Sequence, residues 1–150
     1  MRYLIFIILF FQLGGGCGHQ NIIDSQAFPM YGMWDFEHPV KTRFSYSENE
    51  NLKLTLSLTH TDGFPYKNIY LRSTVSLHDT IQEEIKSYPL QNDLGQWLGS
   101  KKGESYKINL LLFNRIENDP SGIDIKIEQY TREGKLKGVE FAEIIVEKAD

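Results

Sequence analysis

The chain has 150 residues, with 16 Lys and Arg against 20 Asp and Glu, a formal net charge of −4, and a single cysteine. Its length suits one domain that buries its own core without cross-links, and one cysteine allows no internal disulfide. The acidic balance, with no basic cluster to offset it, argues against nucleic acid and anionic headgroups as partners.

Residues 1 to 16 have the three parts of an export signal: a basic start at Arg2, an apolar run from Tyr3 to Leu13, and the small residues Gly14, Gly15 and Gly16. The run falls well short of the roughly twenty residues a membrane-spanning helix needs. The cysteine follows directly, where a lipoprotein signal peptidase cuts once the sulfur carries diacylglycerol. Cys17 is therefore expected to be the lipidated first residue of the mature protein, with palmitate-type acyl chains. Two or three such chains, at roughly 0.8 kcal/mol per buried methylene, make attachment to the membrane effectively permanent. Gly18 to Pro29 is polar and poor in pattern, so residues 17–30 are expected to form a lipidated tether and residues 31–150 the folded domain.

From Tyr31 onward apolar residues recur with period two, the spacing of a half-buried strand. Leu52, Leu54, Leu56 and Leu58 alternate with Lys53, Thr55, Ser57 and Thr59, which places Leu56 in the core. Ile69, Leu71, Val75 and Leu77 alternate with Tyr70, Arg72, Thr74 and Ser76. Thr80 to Tyr88 fits a helix through Ile81, Ile85 and Tyr88, and fits a strand equally well. Tyr106 to Phe113 ends apolar on both faces, as a strand central in its sheet does. Ile123, Ile125 and Ile127 mark another half-buried strand. Val139 to Val146 changes phase near Glu143, as at a β-bulge. Turn signals separate these runs: Asp62-Gly63 with Pro65, Asn92-Asp93 with Gly95, Asp119-Pro120 with Gly122, and Glu133-Gly134. The pattern predicts an all-β fold, an antiparallel sandwich of immunoglobulin-like or jelly-roll-like kind with seven or eight strands.

No catalytic constellation stands out. His19, His38, His60 and His78 are far apart in sequence and have no cysteine partner, so no metal site is expected. A Gly-x-Ser-x-Gly elbow and a phosphate-binding loop are both missing, and no cofactor is implied. Asp79 and Glu83-Glu84 read as a solvated strand face. The aromatic residues are more informative: Tyr31, Trp34 and Phe36 lie close together, Phe64 and Tyr66 flank a turn, and Trp97 stands between Gly95 and Gly99. Trp34 is expected to plug the core. Trp97 reads either as a second plug or as an anchor on a fixed loop, and exposed aromatics of this kind stack on sugars or anchor protein interfaces.

The segment from Leu58 through His60, Asp62-Gly63-Phe64-Pro65-Tyr66-Lys67-Asn68 to Leu71 is followed by Tyr88-Pro89-Leu90, Asp93-Leu94-Gly95-Gln96-Trp97-Leu98-Gly99, and Gly122 with Glu128-Gln129. In this order the motifs resemble the gliding motility-associated lipoprotein GldH family of the Bacteroidetes, over about Trp34 to Lys148. Ser100-Lys101-Lys102 and Gln129-Tyr130-Thr131-Arg132 depart from the family's pattern. The resemblance implies a non-enzymatic envelope lipoprotein that supports gliding and secretion machinery through envelope proteins, and it supplies no catalytic residues. Its most specific pieces, the Pro-Tyr-x-Asn turn and the Gly-x-Trp-Leu-Gly loop, make Trp97, Pro65, Tyr66 and Asn68 the candidate interaction residues. A carbohydrate-binding sandwich is the alternative. Gly18-His19-Gln20-Asn21 lacks the acidic cluster that marks many surface-displayed lipoproteins in these bacteria, which points to the outer membrane facing the periplasm.

Overall fold

A computed structural model describes residues 21–150, and the signal, Cys17 and the start of the tether lie outside the described residues. Two antiparallel sheets face each other across one apolar core. The first has the order β1-β11-β4-β8-β7 and the second β3-β9-β5-β6. Their strands are β1 (Ile22–Pro29), β3 (Val40–Phe44), β4 (Leu52–Thr61), β5 (Asn68–Leu77), β6 (Thr80–Pro89), β7 (Ser100–Lys102), β8 (Ser105–Ile116), β9 (Ile123–Gln129) and β11 (Val139–Lys148). A short ribbon of β2 (Met33–Asp35) and β10 (Lys135–Lys137) closes one end of the core, where Trp34 sits opposite Leu136 and both are fully buried. The all-β sandwich is as expected, but the described residues hold eleven strands rather than seven or eight, because the capping ribbon, β1 and β7 have no periodic pattern to announce them.

Leu52, Leu54, Leu56 and Leu58 of β4 are all fully buried. Leu56 pairs with Ile144 on one side and with Leu110 on the other, so it lies in the middle strand of the first sheet. Burying each such side chain contributes roughly 1.5 to 3 kcal/mol. From the second sheet, Ile69, Leu71 and Val75 of β5 and Ile123, Ile125 and Ile127 of β9 complete the core.

Four sequence-based expectations need correction or completion. Among the described residues strand structure is present from Ile22 and not only from near Tyr31: the stretch read as tether up to Pro29 is β1, which pairs with β11 from Ile22↔Glu147 to Pro29↔Phe141. Its side chains are mostly exposed because it lies at the sheet edge, and that erases any hydrophobic period. The phase change in β11 comes at Glu140, between Val139 and Phe141, and not at Glu143; Phe141 turns outward and Ala142 inward. β8 is central only where β7 covers it, at Ser105–Lys107; beyond that its outer edge is bare among the described strands and Leu111 is exposed. Thr80 to Pro89, which sequence left open, is a strand. Its hairpin with β5 runs without a register shift from Leu77↔Thr80 to Asn68↔Pro89.

The tight β5–β6 turn places His78 at φ 44°, a left-handed conformation that costs energy for a residue with a β-carbon. Asp119 and the Ser121 hydroxyl hold the imidazole there. On the far side of the sandwich the Thr42 hydroxyl donates to Gln26, tying β3 to β1. On the near side the Tyr88 hydroxyl donates to the Leu111 carbonyl at 3.0 Å and links the edges β6 and β8. Burial and the Glu84 charge push the Tyr88 phenol up to about 12, so it remains a donor.

Candidate interaction site

The loop between β6 and β7 carries Trp97. Asn92 shapes it, its side-chain carbonyl accepting from the Leu94 and Gln96 amides at 3.0 and 2.9 Å. Leu98 donates to the carbonyl of buried Leu90 at 2.8 Å, and Gln91 bridges to Trp97. Gly99, at φ 86°, lies against β8 so closely that a β-carbon there would run into the Lys107 carbonyl. This position takes glycine for two reasons, the left-handed backbone and the missing space.

The loop lays the half-buried Trp97 ring against His60, Phe64 and Tyr106, with centroid separations of 4.7, 6.3 and 6.0 Å. Its indole Nε1 donates to Asp62 Oδ1 at 2.6 Å. Trp97 thus fills the edge of the core and is also tied to the neighbouring turn. His60 is fully buried; its Nδ1 faces the Thr61 carbonyl at 2.9 Å and its Nε2 has no partner. Burial pushes the His60 imidazole below its usual value, so the neutral ring with Nδ1–H as donor is favoured.

The aromatic line continues from Phe64 to Tyr66, 6.2 Å away, and leaves the core there. The Tyr66 hydroxyl donates to Glu133, a bond that raises its phenol and holds the ring in place. Tyr66 then lines an open groove of about 580 Å³ on the outer face of the second sheet, with Asn68, Tyr70, Ile85, Tyr130, Thr131 and Arg132. The register explains the convergence. Tyr70 and Ile85 occupy the outward phase of β5 and β6, and the Tyr130 amide donates to the Tyr70 carbonyl at 2.7 Å. Tyr70, Ile85 and Tyr130 remain 45%, 50% and 40% exposed, although burial is what apolar surface favours. The Arg72 guanidinium lies 4.2 Å over the Tyr130 ring, a cation–π contact that stiffens one wall.

Of the four residues singled out from sequence, the structure brings Tyr66 and Asn68 into this groove. Pro65 is exposed at the turn before them, and Trp97 stands behind, one aromatic contact away through Phe64. Tyr70, Ile85, Tyr130 and Arg132 were missed. The signal for Tyr70 was present, since a tyrosine in the wet phase between Ile69 and Leu71 puts a large ring on the exposed face. Arg132 is the one charged side chain in the lining, so the groove offers three tyrosine rings with their hydroxyls, the Asn68 amide, the Thr131 hydroxyl and a cation. Among the described residues no three His, Cys, Asp or Glu side chains converge as metal ligands.

Against known families, the model described as GldH lipoprotein matches residues 22–144. No curated protein matches the chain.

Proposed function

The chain belongs to the GldH lipoprotein family, and from this premise we propose that it is a non-enzymatic envelope lipoprotein that supports gliding or secretion machinery by binding another protein. Family membership implies a lipid-anchored envelope protein, and Cys17 is the residue that carries the lipid. We place it at the outer membrane facing the periplasm, a reading supported by the neutral stretch after Cys17.

The observation that carries the binding role is the groove lined by half-buried Tyr66 and by Tyr70, Ile85 and Tyr130, which stay exposed on the sheet. Large aromatics on a fixed support are the residues that most often dominate interface energetics. Arg132 in the lining, with no acid among the lining residues, favours an extended segment that pairs apolar side chains with a carboxylate. The test is recovery of partners from native membranes by the tagged, lipidated protein and by its Tyr70→Ala/Tyr130→Ala variant. Loss of a discrete co-purifying protein supports the reading. Equal recovery by both proteins would remove it.

A carbohydrate partner is the second reading, favoured by the same exposed tyrosines, since sugar rings stack on aromatic faces. Titration of cell-envelope glycans against the same pair of proteins separates the two: a glycan site responds to the isolated sugar, a protein site does not.

A further inference from the structure

We propose that two copies of the chain join edge to edge through β6, in antiparallel register about a two-fold axis at Ile85. β6 is ten residues long, and no strand of the described residues pairs with its outer edge. Sheet edges left open are usually shortened, bulged, interrupted by proline, covered or charged, and β6 has only the last of these, in Glu83, Glu84 and Lys86, charges of both signs that a suitably registered neighbour can match. β6 shows no register shift against β5, and its one proline is its last residue. Both of its faces are open from Thr80 to Ser87, and only Tyr88 near its end reaches across to β8. Ile81 and Ile85 on the outer face are 69% and 50% exposed, and Gln82, Glu84 and Lys86 on the inner face are exposed as well. The strand therefore overhangs the first sheet, leaving room for a neighbour on the same level.

A second copy fits because the strand is complementary to itself. In a two-fold pairing each residue meets one of the same face, so the register is set by which residue meets its own copy. With Ile85 at the axis, Glu84 faces Lys86 of the other copy twice, Glu83 faces Ser87, and the two Ile85 side chains meet. Moving the axis to Glu84 or Lys86 would set like charges face to face, which is unfavourable for directly opposed residues. Glu84 and Lys86 now pair within the strand, with Lys86 Nζ 3.1 Å from Glu84 Oε2, so both already point to the side where the cross-strand pairs would form. The result is one continuous eight-stranded sheet. Because Ile85 also lines the tyrosine groove and lies opposite Arg72, the two grooves become neighbours across the axis.

Cysteine cross-linking of the full, lipidated chain in its own membranes tests this without reference to any partner. Ile85→Cys should give a covalent dimer under mild oxidation, whereas Gln82→Cys, displaced from its copy by several residues, should not. Glu84→Cys co-expressed with Lys86→Cys should cross-link more than either alone. Adding Glu84→Lys to Ile85→Cys should abolish the dimer band, and Glu84→Lys with Lys86→Glu should restore it. All these positions are exposed, so the fold tolerates the changes. Absence of an Ile85→Cys dimer, equal cross-linking along β6, or indifference to the charge reversals would each overturn the proposal and leave the groove's role untouched.

Discussion

The Trp97 indole and the Asp62 carboxylate, joined at 2.6 Å, connect the loop after β6 to the turn after β4, two segments 35 residues apart in sequence. That one bond, with the ring's packing on His60 and Phe64, gives Trp97 a structural task. Trp97→Phe keeps the packing and loses the bond, so it should lower stability by about 1 kcal/mol. Trp97→Ala removes the ring and should cost about 3 kcal/mol, the low end for aromatic truncation because the ring is only half-buried. Denaturant midpoints of the three proteins check the order.

Acid should loosen the same corner. The folded-state imidazole of His60 lies below its ordinary value of 6.5 because burial disfavours the cation, although the nearby Asp62 and Glu140 charges oppose this in part. The unfolded chain therefore binds the proton more readily. The stability contributed by His60 is complete above about pH 6.5 and is lost as pH falls from there toward the folded-state value. Unfolding free energies between pH 5 and 8 should slope downward on the acid side, and His60→Phe should flatten that part of the curve.

Leu56→Ala should cost on the order of 2 to 5 kcal/mol, since the side chain is fully buried between Ile144 and Leu110. A chemical denaturation curve measures it directly. A midpoint that hardly moved would mean that β4 is not the centre of the first sheet.

How far the fold was legible depended on which faces were wet. β4, β5 and β9 keep their apolar side chains on one face, and their two-residue period showed it, although Thr55 and Ser57 on the other face of β4 are buried as well. β1 and β6 are edge strands exposed along most of their length: β1 carries no period and passed for tether, while the few apolar residues of β6 fit two periods at once and left it undecided. The turn before β6 was equally silent, because His78 takes a left-handed conformation that sequences usually assign to Gly or Asn. Within the candidate site the Pro65-Tyr66 turn was readable from local sequence. Its partners Tyr70, Ile85 and Tyr130 come from three separate segments, and only strand register brings them together.

Membrane attachment should depend on Cys17. Cys17→Ser should release the protein from the membrane fraction or stall its processing, because acyl burial supplies the attachment. Fractionation with labelled fatty acid checks both outcomes. A correctly cleaved Cys17→Ser protein that stayed in the membrane would point to another anchor.

The central claim, that the tyrosine groove receives a protein segment, is tested most directly by placing a photo-cross-linking amino acid at Tyr70 in living cells and, as a control, at Ser25 on the exposed edge strand β1. The account predicts a discrete protein adduct at Tyr70, absent at Ser25 and lost when Tyr130→Ala is added. Equal adducts at both positions, or none at Tyr70, would contradict it.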